Sequence, residues 1–169
     1  MTTIRKASLA DLGQIMDIVA DAQRFLRDSG VDQWQDNYPT AEIMACDIAR
    51  GELYVAEQAD ERVVAIATIS FAGEPTYQTI YDGEWPNNEP YAVIHRAAIR
   101  HGERCRGLAK QLFAFAEQLS AEQGVSNIRV DTHADNLVMQ HLLDRCGYMR
   151  CGVITLCSGA SRVAYIKQW

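Results

Sequence analysis

Residues 91–99, YAVIHRAAI, are rich in β-branched and apolar side chains and read as a buried strand. The polar turn 100–103 follows, and then Leu108, Leu112, Phe115 and Leu119 recur at helical spacing. A strand that turns at once into a helix leaves the first helical N–H groups without internal partners, at the positive end of the helix dipole. Those donors suit a phosphate or pyrophosphate, and Gly107, which has no Cβ, lets the backbone come close to one. Arg100, Arg104, Arg106 and Lys110 crowd this turn with only Glu103 opposing them, on a chain whose formal net charge is −6. A basic cluster on an acidic chain points to a specific anionic ligand. The alternative, a solvated basic helix start, is electrostatically unfavourable in itself.

At 169 residues, with 48% hydrophobic and 22% charged side chains, the sequence predicts one domain, residues 1–169, around one core. The acidic balance argues against non-specific binding to nucleic acid or to an anionic membrane. The first residues run straight into structure, and no segment nears the roughly 20 apolar residues of a membrane span, so a cytoplasmic location is expected. Five cysteines, without a CxxC pair, make neither a disulfide framework nor a zinc site, and no metal is expected. Cys46, Cys146, Cys151 and Cys157 read as small buried hydrophobes, while Cys105 lies in the basic turn, where a thiolate is favoured.

Along the chain, a first strand at 2–6 precedes a helix opened by Ser8 and Asp11, with Leu12, Ile15, Met16, Val19, Ala22 and Leu26 as its stripe and Gly30 as its stop. Pro39 and Thr40 start a second helix, with Ile43, Met44 and Ile48 inward and Gly51 closing it. Residues 53–58 and 63–71 form a hairpin, and 72–90, with three prolines and two glycines, is a long loop of the kind that is functional or mobile, with a helical turn around 77–81. After the central strand and helix come a strand at 127–132 and a helix capped by Asp135 with Met139, Leu142, Leu143 and Cys146 inward. Strands at 148–157 and 162–167 finish the chain. The order predicts an α/β domain with a mixed, largely antiparallel sheet flanked by helices. A dinucleotide fold is excluded, because the Gly-x-Gly-x-x-Gly fingerprint after the first strand is absent.

Arg104-x-x-Gly107-x-Ala109, set between a strand and a long helix, resembles the acyl-CoA signature (Gln/Arg)-x-x-Gly-x-(Gly/Ala) of the GNAT superfamily of N-acetyltransferases. IHRAAI before it, and Asn136 and Gly147-Tyr148 after it, fall at the family's spacing. The resemblance implies two parallel central strands that splay apart, with acetyl-CoA as cosubstrate between them. Its pantetheine arm would pair with the backbone of Ala97, Ala98 and Ile99, and its pyrophosphate would lie on the amides of Arg104, Cys105, Arg106, Gly107, Leu108, Ala109 and Lys110. Asn136 would contact the coenzyme arm or simply cap its helix. Many relatives protonate the leaving thiolate with a tyrosine four residues before the Gly-(Phe/Tyr) pair, and that position here is Leu143.

Proton work then falls to other residues. His133, with Asp131 two residues earlier on the same strand face, is the candidate base, or else a strand-end histidine that fixes the next turn. His95 and Arg96 should point to opposite faces, placing one of them toward the acceptor, and Glu74 in the long loop could receive a cationic amine. Trp34, Tyr38 and Trp85 would grip the acceptor or pin their loops. The resulting reading is an N-acetyltransferase acting on a small-molecule or peptide amine by direct attack in a ternary complex, with a homodimer left open. A non-catalytic acyl-CoA sensor and a transferase of a longer acyl group are its rivals.

Overall fold

The computed structural model describes residues 2–104 and 107–169. Cys105 and Arg106, two of the residues expected at the basic turn, lie outside the described residues. The elements run β1 (Thr2–Lys6), α1 (Leu12–Asp28), α2 (Ala41–Ala49), β2 (Leu53–Gln58), β3 (Val63–Ser70), β4 (Ala92–Ile99), α3 (Leu108–Glu122), β5 (Asn127–Thr132), α4 (Leu137–Arg145), β6 (Met149–Thr155) and β7 (Ser161–Gln168), with short 3-10 turns at Leu9–Asp11 and Pro75–Tyr77. The strands order as β1-β2-β3-β4-β5-β7-β6. β4 and β5 pair in parallel, as the resemblance implied, and the β1–β2, β2–β3, β5–β7 and β6–β7 pairs are antiparallel, which gives the mixed, largely antiparallel sheet expected from the element order. The chain clusters into two compact units, Met1–Ile69 with His95–Phe115 and Ser70–Ile94 with Ala116–Trp169.

In the first unit, Ile15, Ile18, Val19 and Ala22 of α1 pack with Met44, Leu53, Val55, Val63, Ile66 and Ala98. Each fully buried branched side chain there contributes about 1.5–3 kcal/mol over an exposed one. Leu12 and Met16, expected on the stripe, only flank this cluster, and Ile18 takes the central place instead. Asp11 closes the turn before α1, its Oδ2 accepting from the Ser8 N–H at 2.7 Å. Arg5 forks onto the same carboxylate at 2.9 Å and onto Glu57 at 2.6 Å.

The Arg5 hydrogen bonds hold the Asp11 carboxyl at about 2, below its ordinary 3.8. A depressed folded-state value means that the stabilisation is complete above the unfolded value and fades as the pH falls toward about 2. Asp11→Asn should therefore lower the urea midpoint at neutral pH and flatten its decline below pH of about 4. An unchanged acid limb would remove Asp11 from that account.

Thr40 caps α2, its hydroxyl accepting from the Ile43 N–H at 3.3 Å. The helix is turned from the expected face: Met44 and Asp47 are buried, Ile43 and Ile48 are half-buried, and Cys46 is exposed. The expectation of a buried Cys46 is thus overturned, because an acidic neighbour occupies the inward position.

In the second unit, Tyr77, Val93, Ile154 and Ala164 form the core, flanked by Ile80, Trp85, Tyr91 and Leu156. The long loop is tied down. Tyr81 and Val153 of β6 exchange both backbone hydrogen bonds at 2.8 Å, and the Glu84 N–H donates to the Cys151 carbonyl at 3.1 Å. Gly83 and Gly152 permit this approach, since a Cβ on either would collide with the facing backbone. Asn136 caps α4, one of the two roles read for it, its Oδ1 accepting from the Met139 N–H at 3.1 Å, and Asp135 is not the cap. Cys146 is buried as expected, Cys151 is half-buried, and Cys157 is exposed because β6 ends at Thr155. No helix among the described residues is long and apolar enough to cross a membrane.

Candidate functional site

The turn into α3 belongs to the first unit, and two of its basic side chains, Arg100 and Arg104, contact neighbouring elements. Arg100 donates from Nε to the Val63 carbonyl at 2.7 Å, and its own N–H donates to Val64 at 2.8 Å. Buried Glu103 pairs with Arg62 at 3.1 Å. The Arg104 guanidinium lies 4.0 Å from the Phe25 ring centre and donates to the Asp21 carbonyl at 3.4 Å, and burial lowers its pKa. These contacts hold the backbone of the turn while leaving Lys110 exposed on the first turn of α3.

Gly107 sits at φ +76°, and among the described residues nothing lies within 4 Å of a Cβ built there. Leu108 and Leu112 bury the inner face of α3, while Gly107 and Lys110 are exposed and Ala109 is half-buried, and the first amides of a helix have no partner within it. A phosphate fits this arrangement, with backbone donors, the helix dipole and Lys110 all of the right sign. β4 leads into the turn, Ala98 buried in the core and Ala97 and Ile99 half-buried.

Within β4, Arg96 has φ +50°, a left-handed conformation that breaks the strand's alternation. Its side chain reaches α2, where Nε donates to Asp47 Oδ2 at 2.7 Å. Asp47 has no exposed surface, and it also accepts from the Thr68 hydroxyl at 2.8 Å and from Arg50 at 3.2 Å. Arg96 Nη1 donates to the Tyr38 hydroxyl at 2.9 Å. Tyr38 was read from the sequence, but Asp47 and Thr68 were not. The one available signal was an acid three residues after Met44 and four after Ile43, on the apolar stripe of α2. Trp34 packs against the apolar cluster of this unit, and His95 is half-buried.

In the second unit, Asp131 accepts a 2.6 Å hydrogen bond from the Tyr77 hydroxyl. Burial, with the Asp131 charge beside it, pushes the Tyr77 pKa well above the usual tyrosine range, so Tyr77 stays a donor at neutral pH. His133 Nδ1 accepts from the Asp135 N–H at 3.1 Å, which places the proton of the neutral ring on Nε2. Its carbonyl accepts from the Asn136 N–H at 3.0 Å. His133 thus helps to shape the turn into α4, while Asp131 engages Tyr77.

Glu74 caps the 3-10 turn, accepting from the Thr76 N–H at 3.1 Å and the Thr76 hydroxyl at 2.9 Å. Trp85 donates from Nε1 to the Tyr77 carbonyl at 2.8 Å. The Arg129 guanidinium lies 4.2 Å from the Trp85 ring centre and 4.0 Å from that of Tyr91. These contacts tie Trp85 and Glu74 to the body of their unit. Leu143 is fully buried.

Comparison with known proteins adds a family. Residues 16–148 match the model of the acetyltransferase (GNAT) family. A GNAT-family acetyltransferase structure from Streptococcus agalactiae is 33% identical over 99% of this chain and 95% of its own, with a TM-score of 0.88. One from Listeria monocytogenes, 22% identical with the same coverage, superposes at 0.76. A PaiA N-acetyltransferase from Thermoplasma acidophilum in complex with coenzyme A, 15% identical over 100% of this chain and 99% of its own, also superposes at 0.76. These last two share the fold. Among curated proteins, none matches.

Proposed function

Because this chain belongs to the GNAT family of acetyltransferases, we propose that it moves an acetyl group from acetyl-CoA to a primary amine of a small molecule or peptide, by direct attack in a ternary complex. One observation carries the reading: a left-handed Gly107 at the start of α3, with nothing among the described residues within 4 Å of an added Cβ, on a basic stretch of an acidic chain. The amides from Gly107 to Lys110 would hold the diphosphate, with Lys110 adding a charge-assisted bond. Arg104, stacked on Phe25, keeps the turn in shape for it. The backbone of Ala97, Ala98 and Ile99 would bind the pantetheine arm as an added strand does, and an amide there would meet the oxyanion formed at the thioester. Direct attack is preferred because Cys46, Cys146, Cys151 and Cys157 lie on or beside α2, α4 and β6 rather than in this turn, and Cys105 lies outside the described residues.

The test is incubation with acetyl-CoA and a panel of amines, read by product mass, beside thermal stabilisation by acetyl-, succinyl- and longer acyl-CoA. Acetylated amine and free coenzyme are expected, with the acetyl donor turned over fastest. Faster turnover of a longer donor would change the acyl group. Tight coenzyme binding without turnover of any amine would favour a sensor, the reading to which the buried Leu143 lends support. No binding at millimolar coenzyme would end the proposal.

A further inference from the structure

We propose that the Tyr38 hydroxyl donates the proton that the departing thiolate needs, held for the task by Arg96, which Asp47 in turn orients. The proposal rests on the acyl-transfer reading above.

It starts from how much structure is committed to one phenol oxygen. Both carboxylate oxygens of Asp47 are engaged, Oδ2 by Arg96 Nε and the Thr68 hydroxyl and Oδ1 by Arg50. A carboxylate so gripped, with no exposed surface, cannot swing. Fixing Arg96 Nε fixes the plane of the guanidinium, because its donors form a rigid fork. Nη1 then points at the Tyr38 oxygen, 2.9 Å away. To reach this pose Arg96 adopts φ +50° in mid-strand. That conformation costs about 1–3 kcal/mol in a residue that is not glycine, and such strain collects at functional positions.

Anchoring the segment before α2 does not require this contact. Gln23 Nε2 already donates to the Tyr38 carbonyl at 2.9 Å, Gln35 Nε2 to the Gln23 carbonyl at 3.0 Å, and Trp34 packs on the core. The hydroxyl bond is additional. Since the phenol oxygen accepts from Arg96, its own proton is directed elsewhere, and Tyr38 is 38% exposed. Arg96 immediately precedes Ala97, Ala98 and Ile99, the segment assigned above to the acyl donor.

The step balances without a further reactant. The amine lone pair attacks the acyl carbon, the N–C bond forms, and the C–S bond breaks with its electron pair going to sulfur. The Tyr38 O–H bond breaks and its proton passes to that sulfur, giving the free thiol. The oxygen left behind keeps the charge-assisted bond from Arg96. The proton shed by the amine goes to water, from which Tyr38 is restored. Tyr38 is the catalytic residue here, and Arg96 and Asp47 are positioning residues.

Tyr38→Phe keeps the ring and removes only the oxygen. Its kcat with acetyl-CoA should fall about 10²-fold, the usual size of a lost general acid, while the KM for acetyl-CoA and the thermal midpoint hold. Arg96→Lys, which loses the fork, should show a similar fall. The double variant should be no slower than Tyr38→Phe, because the two act as one device. Losses that multiply, or a change confined to the KM of the amine, would overturn the proposal and leave Tyr38 as an acceptor contact. Full kcat in Tyr38→Phe beside an active wild type would overturn it while leaving acetyl transfer standing. A wild type that binds no coenzyme would remove both readings.

Discussion

Gly107→Asp should abolish coenzyme A binding, with an expected loss of about 10³-fold in affinity by isothermal titration. Among the described residues nothing lies within 4 Å of the added Cβ. The effect is therefore aimed at the ligand. A carboxylate about 4 Å from a phosphate near a protein surface repels it by about 4 kcal/mol, which corresponds to the stated loss. The φ of +76° adds a smaller cost of about 1–2 kcal/mol for any residue with a Cβ. Gly107→Ala isolates that smaller term and should retain most of the affinity. An acidic residue at a helix start suits the dipole and offsets part of that backbone cost, so the ligand-free variant should melt about 2–4 °C below the wild type. Unchanged affinity in Gly107→Asp would remove the turn before α3 as the coenzyme site.

Asp47→Ala should be the most destabilising single change in the first unit. Asp47 has no exposed surface, and its removal leaves Arg96, with only 14% of its side chain exposed, facing a void where its counter-charge stood. Breaking such a pair from one side costs about 3–5 kcal/mol. At about 2–4 °C per kcal/mol for a chain of this size, that range lowers the midpoint by about 6–20 °C, and the fall should lie near its low end because Arg50 can still reach water. The Thr68 hydroxyl loses its acceptor as well. Asp47→Asn keeps the shape and removes the charge, and should lose less than the alanine variant. Thermal and urea melts decide the matter, and a loss below about 1 kcal/mol would mean that Arg96 finds another partner.

Periodicity carried most of the fold. β1, β2 and β5 have the expected ends, because β-branched runs bounded by turn residues leave little choice of register. Gly107 was legible for a local reason, as a residue without a Cβ between a strand and a helix, and its φ of +76° is what the structure adds. Asp47 was much less legible. Its burial depends on Arg96, 49 residues away and in a backbone conformation that nothing about arginine announces. The same coupling turned α2 and put Cys46 outside. At α4 the sequence offered both Asp135 and Asn136 as caps, and the choice turns on how the His133 carbonyl receives the chain. Trp85 pins the long loop, one of the two roles read for it, but its partners, the Tyr77 carbonyl and the Arg129 guanidinium held between two rings, are not encoded in composition.

The seam between Tyr81 and Val153 bears on behaviour at high concentration. β6 is terminal in the strand order, and an outer strand with bare amides is a template on which a second chain can grow. Here the chain's own loop fills part of that rim, so foreign strands meet donors and acceptors already engaged. Resistance to fibril-like stacking thus depends on Gly83 and Gly152, two positions with no part in the proposed chemistry, where a single methyl group would lift the strip away.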